Sequence, residues 1–277
     1  MYDYIIIGAG SAGCVLAGRL SEDPTVKVLL LEAGGKDTAK EIRMPVAFSK
    51  LFKGPNDWAY YTEPEGQLGN RSLYWPRGKV LGGSSSLNAM IYIRGHRSDY
   101  DQWRDLGNSG WGYSDVLQYF KKAENNQNGA SEYHGASGPL HVSNPRSLNP
   151  LSEVFVGAAE EVGFKRNPDF NGATQDGFGT YQLTQRQGQR NSAAAAFLRP
   201  AIASSFSWRA IFVRSSAGLS EDAILSILGR FRENRNVLIS GVAISQPNVD
   251  SRKLHKTQAK VPTILCRHHC GESYQTN

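Results

Sequence analysis

The stretch YIIIGAGSAGCVLAGRL, residues Tyr4–Leu20, places three glycines at the spacing of a dinucleotide-binding loop: Gly8, Gly10 and Gly13. The apolar, β-branched run Tyr4–Ile7 ends at the first of them, as a buried parallel strand does. The apolar residues after the third glycine favour a helix packed on a sheet. The sequence therefore predicts a strand, a glycine turn and a helix, the first part of a βαβ unit.

A second predicted strand, Val26–Leu31, completes the unit and is followed by Glu32. This acid lies about 20 residues after Gly13, where such folds place the carboxylate that binds a ribose 2′-hydroxyl. Gly8 permits the tight turn, Gly10 lets the main chain approach the pyrophosphate, and Gly13 lets the helix sit close to the strand. Glu32 also repels a 2′-phosphate, which disfavours NADP. The unit alone does not separate NAD from FAD, and a βαβ unit that binds nothing is the alternative.

The composition predicts a folded protein with no nucleic-acid partner and no transmembrane segment. Hydrophobic residues make up 40% of the 277, and no apolar run is long enough to span a bilayer. The net charge of +6 comes mainly from segment 201–277, which carries ten Lys/Arg against five Asp/Glu, so it says little about partners of the main body. The first strand begins near residue 3 and leaves no room for a signal peptide, which predicts a cytoplasmic protein.

The three cysteines, Cys14, Cys266 and Cys270, do not form a disulfide framework because their number is odd. The first lies in the predicted helix, where a small buried residue is expected. The other two flank His268 and His269 in a spacing too short for the usual zinc arrangement. We therefore predict no metal site, no catalytic role for these histidines, and a solvated chain end.

Hydrophobic periodicity and end signals predict further elements along the chain. Asn149 or Ser147 is expected to cap one helix, and Pro200 is expected to end or bend another. The predicted helices are Ser114–Glu124, Leu151–Val162, Arg190–Leu198 and Glu221–Arg232, and a further strand is predicted at Asn236–Ile239.

A second glycine cluster, WPRGKVLGGSSSLNAMIYIRG at Trp75–Gly95, is far more specific than the first. It has the form R-G-K-x-L-G-G-S-S-x-x-N, then M-x-Y-x-R-G, and is followed by DYDQW at Asp99–Trp103. Together with EAGG at Glu32–Gly35 and NDWAYYTEPE at Asn56–Glu65, it resembles the glucose–methanol–choline (GMC) oxidoreductases, a family of FAD-dependent alcohol dehydrogenases and oxidases. The bacterial choline and other primary-alcohol dehydrogenases of that family are the most similar.

The resemblance covers residues 1 to about 201 and implies FAD rather than NAD. It implies that the first glycine loop and the acid hold the ADP half, and that the second cluster lies along the flavin half. The implied residues are Gly8, Gly10, Ser11, Gly13 and Glu32 for the ADP half, and Val80, Gly82, Gly83, Ser84, Asn88, Ala89, Met90 and Ile91 for the flavin half. Some members attach FAD through a histidine where this chain has Leu87, so the resemblance predicts non-covalent FAD.

The resemblance implies oxidation of an alcohol to a carbonyl with hydride transfer to the flavin. In the family a histidine near the C-terminus accepts the hydroxyl proton, and this chain lacks the region that supplies it. His96, His134 and His141 have no catalytic role in the family pattern and are interpreted as structural. We therefore predict an oxidoreductase acting on CH–OH groups, with choline or another primary alcohol as substrate, but truncated and inactive as written. The alternative is a non-catalytic flavin-binding remnant in an interaction or regulatory role.

The predicted fold is a doubly wound α/β, Rossmann-like FAD-binding domain with part of a substrate-binding domain, incomplete relative to the family. Residues 1–200 are assigned to the FAD-binding region, with substrate-domain segments near 40–75 and 130–190. Residues 201–277 are interpreted as a divergent basic tail, out of frame or disordered. The alcohol, the electron acceptor and the oligomeric state are left open.

Overall fold

Strands and helices alternate along the chain in the computed structural model. It describes residues 2–204, 209–212 and 237–239. All of them lie in the compact unit Met1–Val242, and the second unit, Ala243–Asn277, lies outside the described residues. The strands are β1 Tyr4–Ile7, β2 Val28–Glu32, β3 Tyr60–Tyr61, β4 Tyr74–Trp75, β5 Ile91–Tyr92, β6 Glu124–Asn126, β7 Leu140–Val142, β8 Gln182–Leu183, β9 Gln185–Arg186, β10 Gln189–Arg190, β11 Arg209–Phe212 and β12 Val237–Ile239. The helices are α1 Ser11–Leu20, α2 Lys40–Arg43, α3 Arg97–Asp105, α4 Tyr113–Ala123, α5 Pro150–Glu161 and α6 Arg199–Ser204, with 3₁₀ turns at Pro45–Leu51, Gly66–Leu68 and Gly83–Ser86 and a π-helical turn at Ala194–Leu198.

Four strands form a parallel sheet in the order β11-β2-β1-β12. Tyr4 is in register with Val28, and Ile5 pairs with both Leu29 and Val237. On the other side of β2, Leu29 is in register with Arg209. The two strands of the predicted βαβ unit are therefore the inner strands of the sheet.

Both faces of β1 and β2 are buried, which is why these strands read as continuous apolar runs rather than as alternating ones. Ile6 and Leu30 pack on one face with Cys14 of α1, while Ile5 and Leu29 belong to a second cluster on the other face. All five residues of β2 are buried. This confirms the α/β class predicted from the sequence.

The helix α1 lies against the π-helical turn, and the closest approach is at Gly18. A Cβ built on Gly18 would lie 2.9 Å from the carbonyl oxygen of Phe197, so a side chain there would force the two segments apart. The predicted helix Arg190–Leu198 begins later than expected, because Arg190 belongs to β10 and the π-helical turn starts at Ala194. Pro200 does not end it, since helical structure continues as α6 to Ser204.

Other predicted elements agree closely with the structure. Helix α4 and helix α5 each begin one residue before the predicted start, and β12 lies within the predicted strand. Asn149 is the cap of α5, because its Oδ1 accepts a hydrogen bond of 3.0 Å from the N–H of Leu151. The predicted helix Glu221–Arg232 lies outside the described residues. Within the described part, no helix has both the length and the apolar character needed to cross a membrane.

Candidate cofactor site

The first glycine loop leaves the positive end of α1 open. Gly8 has φ of +93°, a conformation that glycine adopts without strain, and its N–H donates to the carbonyl of Leu31 at 2.8 Å. Gly10 is the N-cap of α1 and, in this described segment, no side chain caps the helix. A Cβ on Gly10 would meet nothing within 4 Å. Unbonded N–H groups that face open space at a helix N-terminus suit a phosphate group.

The carboxylate of Glu32 anchors this loop from the end of β2. Its Oε2 accepts a hydrogen bond from the N–H of Ala9 and its Oε1 one from the N–H of Gly34, both at 2.7 Å. Burial raises the pKa of Glu32, and the backbone hydrogen bonds from Gly34, Ala9 and Ala33 act in the opposite direction. Two carboxylate oxygens can accept about four hydrogen bonds, so Glu32 retains capacity for the predicted ribose hydroxyl.

The second glycine cluster packs directly on the first, backbone against backbone. The N–H of Gly82 donates to the carbonyl of Ala9 at 2.8 Å. A Cβ on Gly83 would lie 2.7 Å from the Cα of Gly10, a distance that real side chains do not reach. Gly82 and Gly83 also have φ of +88° and +54°. We call this contact between the two loops the glycine junction: Ala9, Gly10, Gly82 and Gly83.

Two more glycines, which the sequence analysis did not single out, hold the surrounding segments together. A Cβ on Gly34 would lie 2.1 Å from the carbonyl carbon of Lys79, and one on Gly78 would lie 2.2 Å from that of Gly83. The N–H of Leu81 donates to the carbonyl of Gly35 at 3.0 Å. The EAGG and R-G-K motifs were visible in the sequence, but only the fold shows that they touch.

The predicted flavin-half residues divide between an open side and a buried side. Asn88, Ala89 and Ile91 are exposed, whereas Val80 and Met90 are buried. Met90 has φ of +63°, and this turn directs its side chain inward between two exposed neighbours. The glycine junction brings Gly10 against Gly82 and Gly83, whereas the side chains of Val80 and Met90 are buried in the protein.

Ser84 and Asn88 shape the segment that follows the glycine junction. The hydroxyl of Ser84 accepts a hydrogen bond of 3.2 Å from the N–H of Gly78. The Oδ1 of Asn88 accepts one of 3.0 Å from the N–H of Met90. That contact identifies Oδ1 as the oxygen end of the amide, so Nδ2 is the donor end of this exposed side chain.

Leu87, where the resemblance noted above places a flavin-linking histidine in some family members, lies inside the protein. It is 2% exposed and packs with Ile42, Leu51 and Val80. An aliphatic side chain in a core offers no atom for a covalent link to a cofactor. This agrees with the prediction of non-covalent FAD.

These observations test whether FAD fits the residues present. The open space at Gly10, the uncapped α1 and the buried Glu32 suit the pyrophosphate and ribose of an adenine dinucleotide. The exposed edge at Asn88, Ala89 and Ile91 continues from the glycine junction and offers an amide donor to a second ring system. FAD therefore fits the residues that the two glycine loops present.

A second polar cluster, absent from the sequence analysis, lies outside the glycine loops. Arg94 Nη2 is 2.8 Å from Glu124 Oε2, and the Glu124 side chain is fully buried. His134 bridges two carboxylates, with Nδ1 2.9 Å from Glu124 Oε1 and Nε2 2.9 Å from Asp169 Oδ2. We call this set the carboxylate network: Arg94, Glu124, His134 and Asp169.

The charges of the carboxylate network stabilise one another. Hydrogen bonds to Glu124 and Asp169 raise the pKa of His134. Burial disfavours ionisation of Glu124, but hydrogen bonds from His134, Asn126 and Gly135 outweigh it and lower its pKa. Since both ring nitrogens of His134 face carboxylates, the doubly protonated ring fits the geometry best. His134 is thus held between two carboxylates, and His96 caps α3 through Nδ1. That neither residue takes part in catalysis stays a prediction.

The parallel sheet, the open helix terminus and the glycine junction define a dinucleotide-binding domain of the flavoprotein type. Residues 2–213 match the family described as GMC oxidoreductase, and the chain belongs to that family. FAD is accordingly its cofactor. The family match extends beyond residue 201, where the motifs recognised in the sequence end.

Three relatives show how much of the family fold is present. The chain is 54% identical over 204 residues to an alcohol dehydrogenase [acceptor] from Pseudomonas putida, covering 73% of this chain and 37% of the relative. It is 44% identical over 264 residues to the mitochondrial choline dehydrogenase of Homo sapiens, covering 90% of this chain and 44% of the relative. The crystal structure of pyridoxine 4-oxidase from Mesorbium loti superposes with a TM-score of 0.74 at 37% identity, covering 76% of this chain and 42% of that one. The chain spans less than half the length of these proteins.

Proposed function

We propose that this chain is the FAD-binding part of an oxidoreductase that acts on the CH–OH group of an alcohol, with choline or another primary alcohol as substrate. The glycine junction is the observation that carries this proposal, because it brings the loop predicted for the ADP half into contact with the loop predicted for the flavin half. The relatives named alcohol dehydrogenase and choline dehydrogenase support the substrate class. A cytoplasmic location remains a prediction, which cell fractionation tests.

When bound, FAD supplies the acceptor for a hydride that leaves the carbon of the alcohol. The residues of this chain bind and orient. The N-terminus of α1 at Gly10 and Ser11 holds the pyrophosphate, and Gly13 lies buried behind it. Glu32 accepts a hydrogen bond from the ribose hydroxyl, and the Nδ2 of Asn88 donates a hydrogen bond to the flavin half. The close backbone contact at Gly83 fixes the two loops relative to each other.

No residue of this chain is assigned as the base that accepts the hydroxyl proton. His96 and His134, both in the described part, hold other contacts, and the resemblance places the family's base near the C-terminus of longer members. General-base catalysis contributes about 10²–10⁴-fold to a rate, and positioning of the substrate contributes further. We therefore expect residues 1–277 to bind FAD but not to oxidise alcohols at a useful rate.

Two measurements on the purified 277-residue chain test the proposal. After reconstitution with FAD, a visible flavin spectrum that survives gel filtration is expected, and its absence would overturn the proposal. Choline and several primary alcohols are then supplied with an artificial electron acceptor. Turnover near one per second, within the usual range of enzymes, would contradict the expected inactivity. Slow bleaching of the flavin by alcohol alone favours an oxidoreductase over a non-catalytic flavin-binding protein.

A further inference from the structure

Arg190, at the end of β10, is a buried cation whose contacts lie beside the flavin-half loop. Its side chain is 6% exposed. Nε donates to the carbonyl of Ile42 at 2.9 Å, and Nη1 donates to the carbonyl of Ser85 at 3.1 Å and to Oδ1 of Asn88 at 2.9 Å. All three acceptors are neutral oxygens. The guanidinium therefore ties α2 to the loop without meeting a negative charge.

The charge of Arg190 lacks a counterion among the residues that the structure describes. No carboxylate within that part of the chain forms an ion pair with it, and its Nη2 is buried without a hydrogen-bond partner. Burial lowers its pKa to about 10, so the group remains protonated at neutral pH. A buried, unpaired charge is costly, and natural proteins rarely keep one without a reason.

The loop that Arg190 holds is the one that continues from the glycine junction. Asn88 Oδ1 accepts from both Arg190 and the N–H of Met90, so two donors converge on one atom and fix the amide. Ser85 is held from the same side, because its hydroxyl accepts from the N–H of Ala193 at 2.9 Å and donates to the carbonyl of Gly82 at 2.6 Å. The segment from β10 to the π-helical turn thus supports the loop from behind.

We propose that Arg190 is a positioning residue for the flavin half of FAD, and that its unpaired positive charge stabilises the negative charge that this half gains on reduction. The inference rests on FAD binding by this site. Because Nη2 is enclosed by protein, Arg190 does not contact FAD directly. It affects the cofactor by holding the loop in place and by the electric field of its guanidinium group. In the low dielectric of the interior that field is weakly screened. It favours the added negative charge of the reduced cofactor.

The experiment compares Arg190→Gln and Arg190→Lys in the full chain, loaded with FAD. The readouts are the FAD dissociation constant by titration and the flavin midpoint potential by equilibration with a reference dye. Arg190→Gln is expected to raise the dissociation constant about tenfold or more, the scale of losing hydrogen bonds from a charged group. It is also expected to shift the potential to more negative values. Arg190→Lys keeps the charge, so its potential stays close to that of the wild type.

Arg94→Lys is the matched control, because Arg94 is equally buried but already paired with Glu124. It is expected to lower the melting temperature without moving the flavin potential. Unchanged potential and affinity in Arg190→Gln, or an equal shift in Arg94→Lys, would overturn the inference. If Arg190→Gln is recovered without FAD, Arg190→Lys decides: retained flavin supports the inference and lost flavin overturns it. A wild-type chain that binds no FAD overturns the proposed function and this inference together, whereas missing alcohol turnover leaves this inference standing.

Discussion

Arg94 and Arg190 are buried to the same extent, 6% exposed each, but their surroundings differ. Arg94 faces the carboxylate of Glu124, which is held in turn by His134, so the carboxylate network is electrically complete within the protein. Arg190 meets only neutral oxygens next to the glycine junction. The protein pairs the buried charge of Arg94 within its own fold, whereas it leaves that of Arg190 unpaired beside the loop that we propose binds the flavin half.

Removing the centre of the carboxylate network has the largest expected effect on stability. Glu124→Ala leaves the buried Arg94 without its counterion and Nδ1 of His134 without its carboxylate partner. Breaking a buried pair in this way costs about 3–5 kcal/mol. The free energy of unfolding is measured by urea titration. FAD affinity of the folded variant is expected to stay close to the wild-type value. A loss of FAD affinity without a loss of stability would place this network on the ligand side.

The control for this change is the exposed ion pair of Glu153 with Arg166, at 3.0 Å. Glu153→Ala removes a carboxylate from a solvated surface and is expected to cost less than about 1 kcal/mol.

Separating the glycine junction affects both stability and cofactor binding. Gly83→Val places a branched side chain against the Cα of Gly10 and forces valine into φ of +54°. Strain and overpacking together are expected to cost about 2–4 kcal/mol, and the protein should be isolated with little FAD. Absorbance ratios at the protein and flavin maxima give the flavin content.

A glycine outside the junction provides the comparison. Gly157 lies in α5 with nothing within 4 Å of a built Cβ. Gly157→Ala is expected to stabilise the protein by up to about 1 kcal/mol and to keep full flavin content. If Gly83→Val behaves like Gly157→Ala, the two loops do not depend on their close contact.

Glu32→Gln tests the acid that links β2 to the first loop. Glutamine keeps one acceptor oxygen but places an amide donor against the N–H of either Ala9 or Gly34. FAD binding is expected to weaken by about 1–3 kcal/mol, the scale of a hydrogen bond to a charged group. Fluorescence titration of FAD measures it, and an unchanged dissociation constant would refute the role of Glu32 in the adenosine half.

The smallest effect is a pH dependence confined to the carboxylate network. Because folding raises the pKa of His134, its protonation stabilises the folded protein fully at pH values below the ordinary pKa of 6.5. That stabilisation is lost as the pH rises through the folded-state pKa. Because folding lowers the pKa of Glu124, its ionisation stabilises the folded protein fully at pH values above the ordinary pKa of 4.5. That stabilisation is lost as the pH falls through the folded-state pKa. The network is therefore most stable between these two values.

His134→Gln should remove the decline on the alkaline side, where we expect a change of about 1 kcal/mol, the net worth of one hydrogen bond. Melting curves of both proteins between pH 5 and 9 measure the difference. If the melting temperatures of the two proteins change in parallel with pH, protonation of His134 does not contribute to the pH dependence of stability.

The local elements were predictable because their signals are local. The run Tyr4–Ile7, the glycines after it and the cap Asn149 each determine structure within a few residues, and the structure has β1, α1 and α5 where they were expected. Pro200 was expected to end or bend a helix, but it does not end it, because helical structure passes from the π-helical turn into α6.

The contacts between distant segments were not predictable from one sequence. Glycines that permit an approach, such as Gly34 and Gly83, look the same as glycines that permit a turn, and only the fold shows which backbone they face. Glu124 lies at the end of an amphipathic helix pattern, where an acid ordinarily faces solvent. Its burial depends on Arg94 and His134, whose positions no local periodicity encodes.

The inner strands of the sheet are synthesised well before its outer strands. The strands β1 and β2 leave the ribosome first, but their outer neighbours are Val237–Ile239 and Arg209–Phe212. At translation rates of about 5–20 residues per second, the roughly 180 residues that separate β2 from β11 take about 10–40 seconds to synthesise. During that interval both edges of the nascent pair stay unpaired and accessible to chaperones or to other chains. The part of the molecule that begins the nucleotide site is made first and completed last, so its yield in a cell depends on what occupies those edges meanwhile.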